Sequence, residues 1–113
     1  METKIATNIE TDTFYSIISL LKTDHWHMDI EYDHRLIDKG IDFDFYQFSK
    51  DEEHLLLAWN NWTEGEIKGT EKTISEIARQ LNFICYFGEP EYLYRQDFVE
   101  EIKKYPYIYK IIL

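Results

Sequence analysis

The chain has 113 residues, 44% hydrophobic and 17% aromatic, which is enough apolar material for the core of one domain. Acidic residues outnumber basic ones by 22 to 12, and the net charge of −10 argues against direct binding of nucleic-acid phosphates. No apolar run reaches the roughly 18 residues of a membrane-spanning helix, and the amino-terminal segment lacks a signal-peptide pattern. The sequence therefore predicts a single cytoplasmic domain, residues 1 to 113, that contacts neither nucleic acid nor membrane.

The first half of the chain predicts one helix followed by two strands. Apolar residues recur at helical spacing between residues 11 and 23, with Thr11 or Asp12 as the N-cap. Between residues 26 and 33, apolar and polar residues alternate, as in a strand with one buried face. The segment IDFDFYQF, residues 41 to 48, repeats this alternation and predicts the second strand.

The second half predicts strands and helices in alternation. A helix with Thr70 as its N-cap is expected over residues 70 to 81, and a short buried strand over residues 83 to 87. A third helix is expected around residues 94 to 102, before a last strand at residues 107 to 113. This order predicts an α+β fold, a mainly antiparallel sheet with about three helices packed on one face.

Between these halves, the segment LLLAWNNWTEGEIKG at residues 55 to 69 predicts a β-hairpin. Asn60 and Asn61 both tolerate left-handed backbone angles, so a two-residue loop would place Trp59 directly opposite Trp62. Extending that register would pair leucines with glutamates, which does not fit one buried face and one exposed face. Either the loop is longer, or the hairpin has a mixed face.

A mixed face of aromatic, aliphatic and carboxylate groups is typical of a protein-binding surface. Four hairpin residues form one candidate partner-binding patch: Trp59, Trp62, Glu64 and Glu66. The alternative is that the tryptophans pack in the core, as large aromatic side chains on hairpins usually do.

Acidity is concentrated between residues 24 and 53, where ten acidic and three basic residues give a net charge of −7. Strand alternation would bring several carboxylates onto one exposed face, a negative field suited to a basic protein partner. The candidate residues on this face are Asp29, Glu31, Asp33, Asp42 and Asp44. Charge reversal of exposed residues there is expected to change stability by only about ±0.5 kcal/mol. The alternative is a solvated face that keeps the protein soluble.

Catalytic and metal sites have weaker patterns. His25 and His27, two apart on a predicted strand, have the spacing of two zinc ligands but no convincing third ligand. Glu64 and Glu66 would point the same way on a strand, as an acid/base pair requires, although such neighbours are commoner as surface residues. Cys85 lies among apolar residues that predict a buried, unreactive thiol. We therefore expect no catalytic residue, no cofactor and no metal.

Two resemblances add to this interpretation. The segment AWNNWTEGEIKGT with the helix after it, residues 54 to 82, resembles small, largely uncharacterised bacterial proteins with a Trp-Asn/Asp-Asn-Trp-x-Glu-Gly-Glu-Ile core. Size, acidity and α+β order resemble the immunity proteins of bacterial toxin systems, including contact-dependent inhibition, which bind and block a secreted toxin domain. The resemblance implies an inhibitor of a cognate toxin, and the acidity favours a basic nuclease domain as its target. The alternatives are a small metal-dependent or carboxylate-dependent hydrolase and a regulatory binding domain.

Overall fold

A computed structural model describes residues 3–32, 43–61, 64–88 and 109–111 of the chain, and these residues form an α+β fold. The elements, in chain order, are β1 (Thr3–Ile9), α1 (Thr11–Thr23), β2 (His27–Tyr32), β3 (Phe43–Lys50), β4 (Glu53–Asn60), β5 (Glu64–Thr70), α2 (Glu71–Leu81), β6 (Tyr86–Phe87) and β7 (Tyr109–Ile111). The seven strands form one sheet in the order β6-β1-β5-β4-β3-β2-β7. Each neighbouring pair is antiparallel, which confirms the predicted sheet type.

Both described helices begin close to where the sequence predicts. The N-cap of α1 is Glu10, whose side chain makes no capping bond, so Thr11 and Asp12 lie inside the first turn instead of capping it. The prediction for α2 is confirmed, because the Thr70 hydroxyl accepts a hydrogen bond from the backbone N–H of Thr73 at 3.3 Å. A left-handed Asn82 ends α2.

One face of the sheet packs against α1 and α2, as predicted. Apolar side chains of both helices meet alternate residues of the central strands and form the main core. Its fully buried members include Phe14, Ile17, Phe48, Leu55, Leu57, Ile67 and Ile74. The third predicted helix, around residues 94 to 102, lies outside the described residues and stays a prediction.

The opposite face of the central strands is also buried. Phe45 of β3 pairs with Ala58 of β4 on this face, and neither side chain is exposed to solvent. Asn60 lies on the same face and is 1% exposed. The expectation of one buried and one solvated face is therefore wrong for the centre of the sheet.

Two edge features differ from the sequence prediction. Strand β1 was not predicted, because a register shift between Ala6 and Ile9 and the left-handed backbone of Asn8 interrupt its alternation. The predicted buried strand at residues 83 to 87 is reduced to β6, an edge strand in which Tyr86 is 57% exposed. Cys85 beside it is half-buried, and burial, followed by the negative charge of Glu71, raises the pKa of its thiol.

Candidate functional site

The predicted acidic face is divided between the two faces of the sheet. Met28 lies opposite Phe48, but Ile30 lies opposite Gln47, so β2 contains one more residue than β3 over this interval. Such a bulge reverses the alternation of the residues that follow it. Glu31 therefore lies opposite Tyr46 on the helix side, whereas Asp29 does not.

Asp29 belongs to a small polar cluster on the other side of the sheet. Its Oδ1 atom lies 2.7 Å from His27 Nδ1 and accepts a hydrogen bond of 2.9 Å from the Ser49 hydroxyl. Burial acts to raise the pKa of this carboxyl, but the bonds from His27 and Ser49 outweigh it and hold the pKa below its usual value. The prediction that Asp29 and Glu31 share one face is wrong because of the bulge.

The expected burial of Trp26, Met28 and Ile30 is met in part. Ile30 is buried, whereas Trp26 and Met28 are half-buried and pack against the main core. Two further members of the predicted acidic face, Asp33 and Asp42, lie outside the described residues.

Asp44 is buried beneath α1, with 1% of its surface exposed, so its predicted place on a solvated face is wrong. Its Oδ2 atom accepts hydrogen bonds from the hydroxyls of Tyr15 at 2.7 Å and Tyr46 at 2.8 Å. Its Oδ1 atom accepts one from the backbone N–H of Phe45 at 3.0 Å. Burial and the adjacent Asp44 carboxylate raise the pKa of both tyrosine hydroxyls. This arrangement ties α1 to the sheet and leaves the Asp44 carboxylate inaccessible to a partner.

The β4–β5 hairpin has a longer loop than the two residues predicted. Asn60 lies opposite Glu64, so three residues separate the two paired positions, and Trp59 lies opposite Gly65 instead of Trp62. This register pairs Leu57 with Ile67, which removes the mismatch of leucine with glutamate. Trp62 itself lies outside the described residues.

Of the three described residues in the candidate hairpin patch, two are buried. Trp59 is 4% exposed, and its indole N–H donates a 2.9 Å hydrogen bond to the Thr11 hydroxyl. Glu66 is 2% exposed because it lies opposite Ala58 on the buried second face, whereas Glu64 is exposed. The core-packing alternative therefore describes Trp59, and the proposed Glu64/Glu66 acid/base pair is not assembled at an open site.

The histidine pair does not have the geometry expected of two strand ligands. His25 has a φ of 66° in the turn before β2, and His27 begins the strand. Among the described residues, no group of three His, Cys, Asp or Glu side chains is placed to hold a metal ion. The Ser49 hydroxyl is directed at Asp29, which is not the serine–histidine bond that nucleophilic catalysis requires.

A groove that the sequence did not predict lies where α1, α2 and the β3–β4 turn meet. Its volume is about 310 Å³. Apolar side chains form part of its wall and charged side chains form the remainder. The lining residues are Leu20, Leu21, Asp24, Trp26, Lys50, Asp51, Glu53, Lys72, Thr73, Glu76, Ile77 and Gln80. Four carboxylates and two lysines make the lining negative, and we take this α1–α2 groove as the candidate functional site.

Charged groups in the α1–α2 groove differ in whether a neighbour neutralises them. Lys50 Nζ lies 3.4 Å from Asp24 Oδ2 and donates a 2.8 Å hydrogen bond to the Asp24 carbonyl oxygen. Glu76 pairs with Arg79 one turn further along α2, and this pairing lowers the pKa of Glu76. Glu53 has no such counter-ion in the part of the chain that the structure describes.

Glu53 is held in place by threonines of the α2 N-terminus. The Thr73 hydroxyl lies 2.9 Å and 3.1 Å from its two carboxylate oxygens, and the Thr70 hydroxyl lies 3.3 Å from Oε1. The N-cap of α2 thus also orients a half-buried carboxylate along the groove. The sequence pattern indicates the cap and the local acidity separately, but no local pattern joins residues 20, 53 and 73.

A second exposed feature is apolar. Ile84 is 75% exposed, Tyr86 57% and Phe87 37%, and these are the large hydrophobic side chains exposed in the described ranges. They follow α2 and lie at the β6 edge of the sheet, where Lys4 Nζ lies 5.7 Å from the centre of the Phe87 ring.

Comparison of the chain with protein-family models, curated proteins and solved structures finds no match. Neither helix in the described part of the chain combines the length and apolarity needed to cross a membrane.

Proposed function

We propose that this protein is an immunity-type inhibitor that binds and neutralises a cognate bacterial toxin, a basic nuclease domain in particular. The observation that carries the proposal is the net charge of −10 together with an acidic, partly apolar groove on the surface. A nuclease must be basic around the cleft that receives the phosphate backbone, so an acidic protein complements it in charge. In this proposal the protein is a single, non-catalytic cytoplasmic domain with a third helix near residues 94 to 102.

The contact surface in this proposal differs from the one that the sequence suggests. Asp44, Trp59 and Glu66 are buried, so they are assigned no direct contact with the toxin. The α1–α2 groove takes their place, with Trp26 as an aromatic contact and Glu76 as an exposed charge. Aromatic and aliphatic groups supply the desolvated contacts, and the surrounding carboxylates accelerate association.

A binding role is preferred to the hydrolase alternative on geometric grounds. Of the two carboxylates suggested as an acid/base pair, Glu64 is exposed and Glu66 is buried. A general acid/base pair must reach the same substrate bond from an open cleft. Groove carboxylates such as Glu53 are bonded to structural hydroxyls, which suits a charge that orients a partner.

The test uses the protein encoded beside this gene, in growth rescue by co-expression and in binding kinetics with purified components. We expect wild type to rescue growth, and added salt to weaken the complex mainly by slowing association. Glu76→Lys should slow association more than Glu71→Lys, a matched reversal on the same helix outside the groove. Absence of any basic partner, or binding that is indifferent to both salt and charge reversal, would contradict the proposal.

A further inference from the structure

The α1–α2 groove has the dimensions of a site for one side chain. Its volume of about 310 Å³ is at the lower end of the range for ligand pockets in proteins. Leu20, Leu21 and Ile77 provide apolar wall, and the half-buried indole of Trp26 adds a flat aromatic surface. An aliphatic stem of several methylene groups would gain from burial against such walls.

Glu53 gives this apolar groove a fixed negative charge. Its carboxylate is half-buried and oriented by the Thr70 and Thr73 hydroxyls, and no lysine or arginine among the described residues lies within 4.0 Å of it. Each carboxylate oxygen has two lone pairs, so bonding to threonine leaves acceptor capacity on both. A cation that entered the groove would find a preorganised counter-ion.

The charges around Glu53 select against anions. Of the two lysines in the lining, Lys50 is paired with Asp24, and Lys72 is exposed on α2. Asp51 adds a further carboxylate, whereas Glu76 is paired with Arg79. A phosphate or carboxylate ligand would therefore meet repulsion from Asp51 and Glu53, whereas a cationic group would be attracted to both.

We propose that the α1–α2 groove receives an arginine side chain of the basic protein partner, with its guanidinium bonded to Glu53 and stacked on Trp26 and its stem along the apolar wall. Arginine fits better than lysine because a planar guanidinium stacks on an indole and presents parallel donors to a carboxylate. The inference deepens the proposed function and rests on it for the identity of the partner. It also assigns Glu53 and Trp26 the central role in recognition.

The direct test needs no toxin. The full chain, labelled with ¹⁵N, is titrated with Nα-acetyl-arginine amide and followed by NMR. We expect saturable shifts at the Trp26 indole and the Glu53 amide, with a dissociation constant on the order of millimolar. Trp59, whose indole is buried and bonded to Thr11, is the internal control and should not shift. The citrulline analogue, which has the same shape without the charge, should give no saturable shift.

Variants of neighbouring glutamates locate the charge. Glu53→Gln should weaken arginine binding about tenfold, or about 1.4 kcal/mol, because the guanidinium loses its charged acceptor. Glu52→Gln removes the same charge from an exposed residue outside the groove and should change binding by less than about twofold. Trp26→Leu should weaken binding about threefold. The inference would be overturned if the two glutamate variants had equal effects. It would also be overturned if Nα-acetyl-lysine amide bound as tightly as Nα-acetyl-arginine amide.

Thermal unfolding of Glu53→Gln provides the folding control, because the glutamine carbonyl can still accept a hydrogen bond from Thr73.

Failure of this inference can be separated from failure of the proposed function. A toxin that is neutralised equally well by wild type and Glu53→Gln overturns the arginine site alone. If arginine binding depends on Glu53 but the protein does not rescue growth from the toxin encoded beside it, only the proposed function is overturned.

Discussion

Substitution of Asp44 by alanine removes a buried carboxylate that joins α1 to the sheet. The variant leaves the Tyr46 hydroxyl and the Phe45 N–H without this acceptor, and both residues are at most 5% exposed. The Tyr15 hydroxyl also loses its bond, but that side chain is half-buried and can turn to water. The two enclosed donors therefore dominate the expected cost.

A hydrogen bond to a charged group contributes about 1.5–3 kcal/mol, so loss of the bonds from Tyr46 and Phe45 in Asp44→Ala should lower the free energy of unfolding by about 3–6 kcal/mol. Typical domains have a total stability of about 5–15 kcal/mol, which makes this a large fraction. Asp44→Asn keeps one carbonyl acceptor and should cost less, about 1–2 kcal/mol. Asp44→Lys would bury an unpaired ammonium and should prevent folding, contrary to the small effect expected for an exposed residue.

Urea unfolding followed by tryptophan fluorescence and circular dichroism measures these differences. The control is Glu52→Ala, which also removes one carboxylate but from an exposed turn, and should stay within about 0.5 kcal/mol of wild type. The Asp44→Ala midpoint should fall while the denaturant slope is unchanged. If Asp44→Ala is as stable as Glu52→Ala, the hydrogen bonds that the Asp44 carboxylate accepts do not stabilise the fold, which would contradict this prediction.

Three further changes test other contacts. Gly65→Ala places a Cβ 2.7 Å from Phe14 Cδ1 and should lower the free energy of unfolding in urea by about 1–3 kcal/mol. Gly88→Ala, where the nearest neighbour of the added Cβ is at 3.9 Å, should have almost no effect, and equal effects of the two variants would contradict the packing. Thr70→Ala removes the α2 cap and should lower stability by about 1 kcal/mol in thermal unfolding, and an unchanged midpoint would argue against the cap. Because the pKa of Asp29 is lowered in the fold, its ionised form stabilises the protein above pH 3.8, and this contribution is lost as pH falls through the folded-state pKa. The urea midpoints of wild type and Asp29→Asn should therefore converge below pH 3.8, and a constant gap would contradict the assignment.

The sequence by itself determined the elements whose signals are local. Residues 11 to 23 and 71 to 81 are helices because apolar side chains every three or four residues give a helix one buried side wherever it packs. The Thr70 cap is equally local, since the hydroxyl and the N–H that it accepts from are three residues apart. Alternation in β2 and β3 predicted strands correctly, and with them an α+β fold with an antiparallel sheet.

Tertiary structure decided which side chains reach the surface. One extra residue between Met28 and Ile30 places Asp29 and Glu31 on opposite sides of the sheet. Pairing of Asn60 with Glu64 places Trp59 opposite Gly65. Register depends on pairing with another strand, so alternation within a single strand cannot reveal it. Packing of α1 on the sheet likewise enclosed Asp44, which has the sequence context of an exposed strand residue.

The α1–α2 groove illustrates the same limit at the level of function. Trp26, Glu53 and Thr73 come from three separate segments, and each has a complete local explanation as a core neighbour, a strand end or a helix-cap partner. They converge because α1 and α2 pack side by side on one sheet face next to the β3–β4 turn. The sequence set the charge and the elements of this protein, whereas the packing of distant segments decided which carboxylates are buried in the fold and which line an open groove.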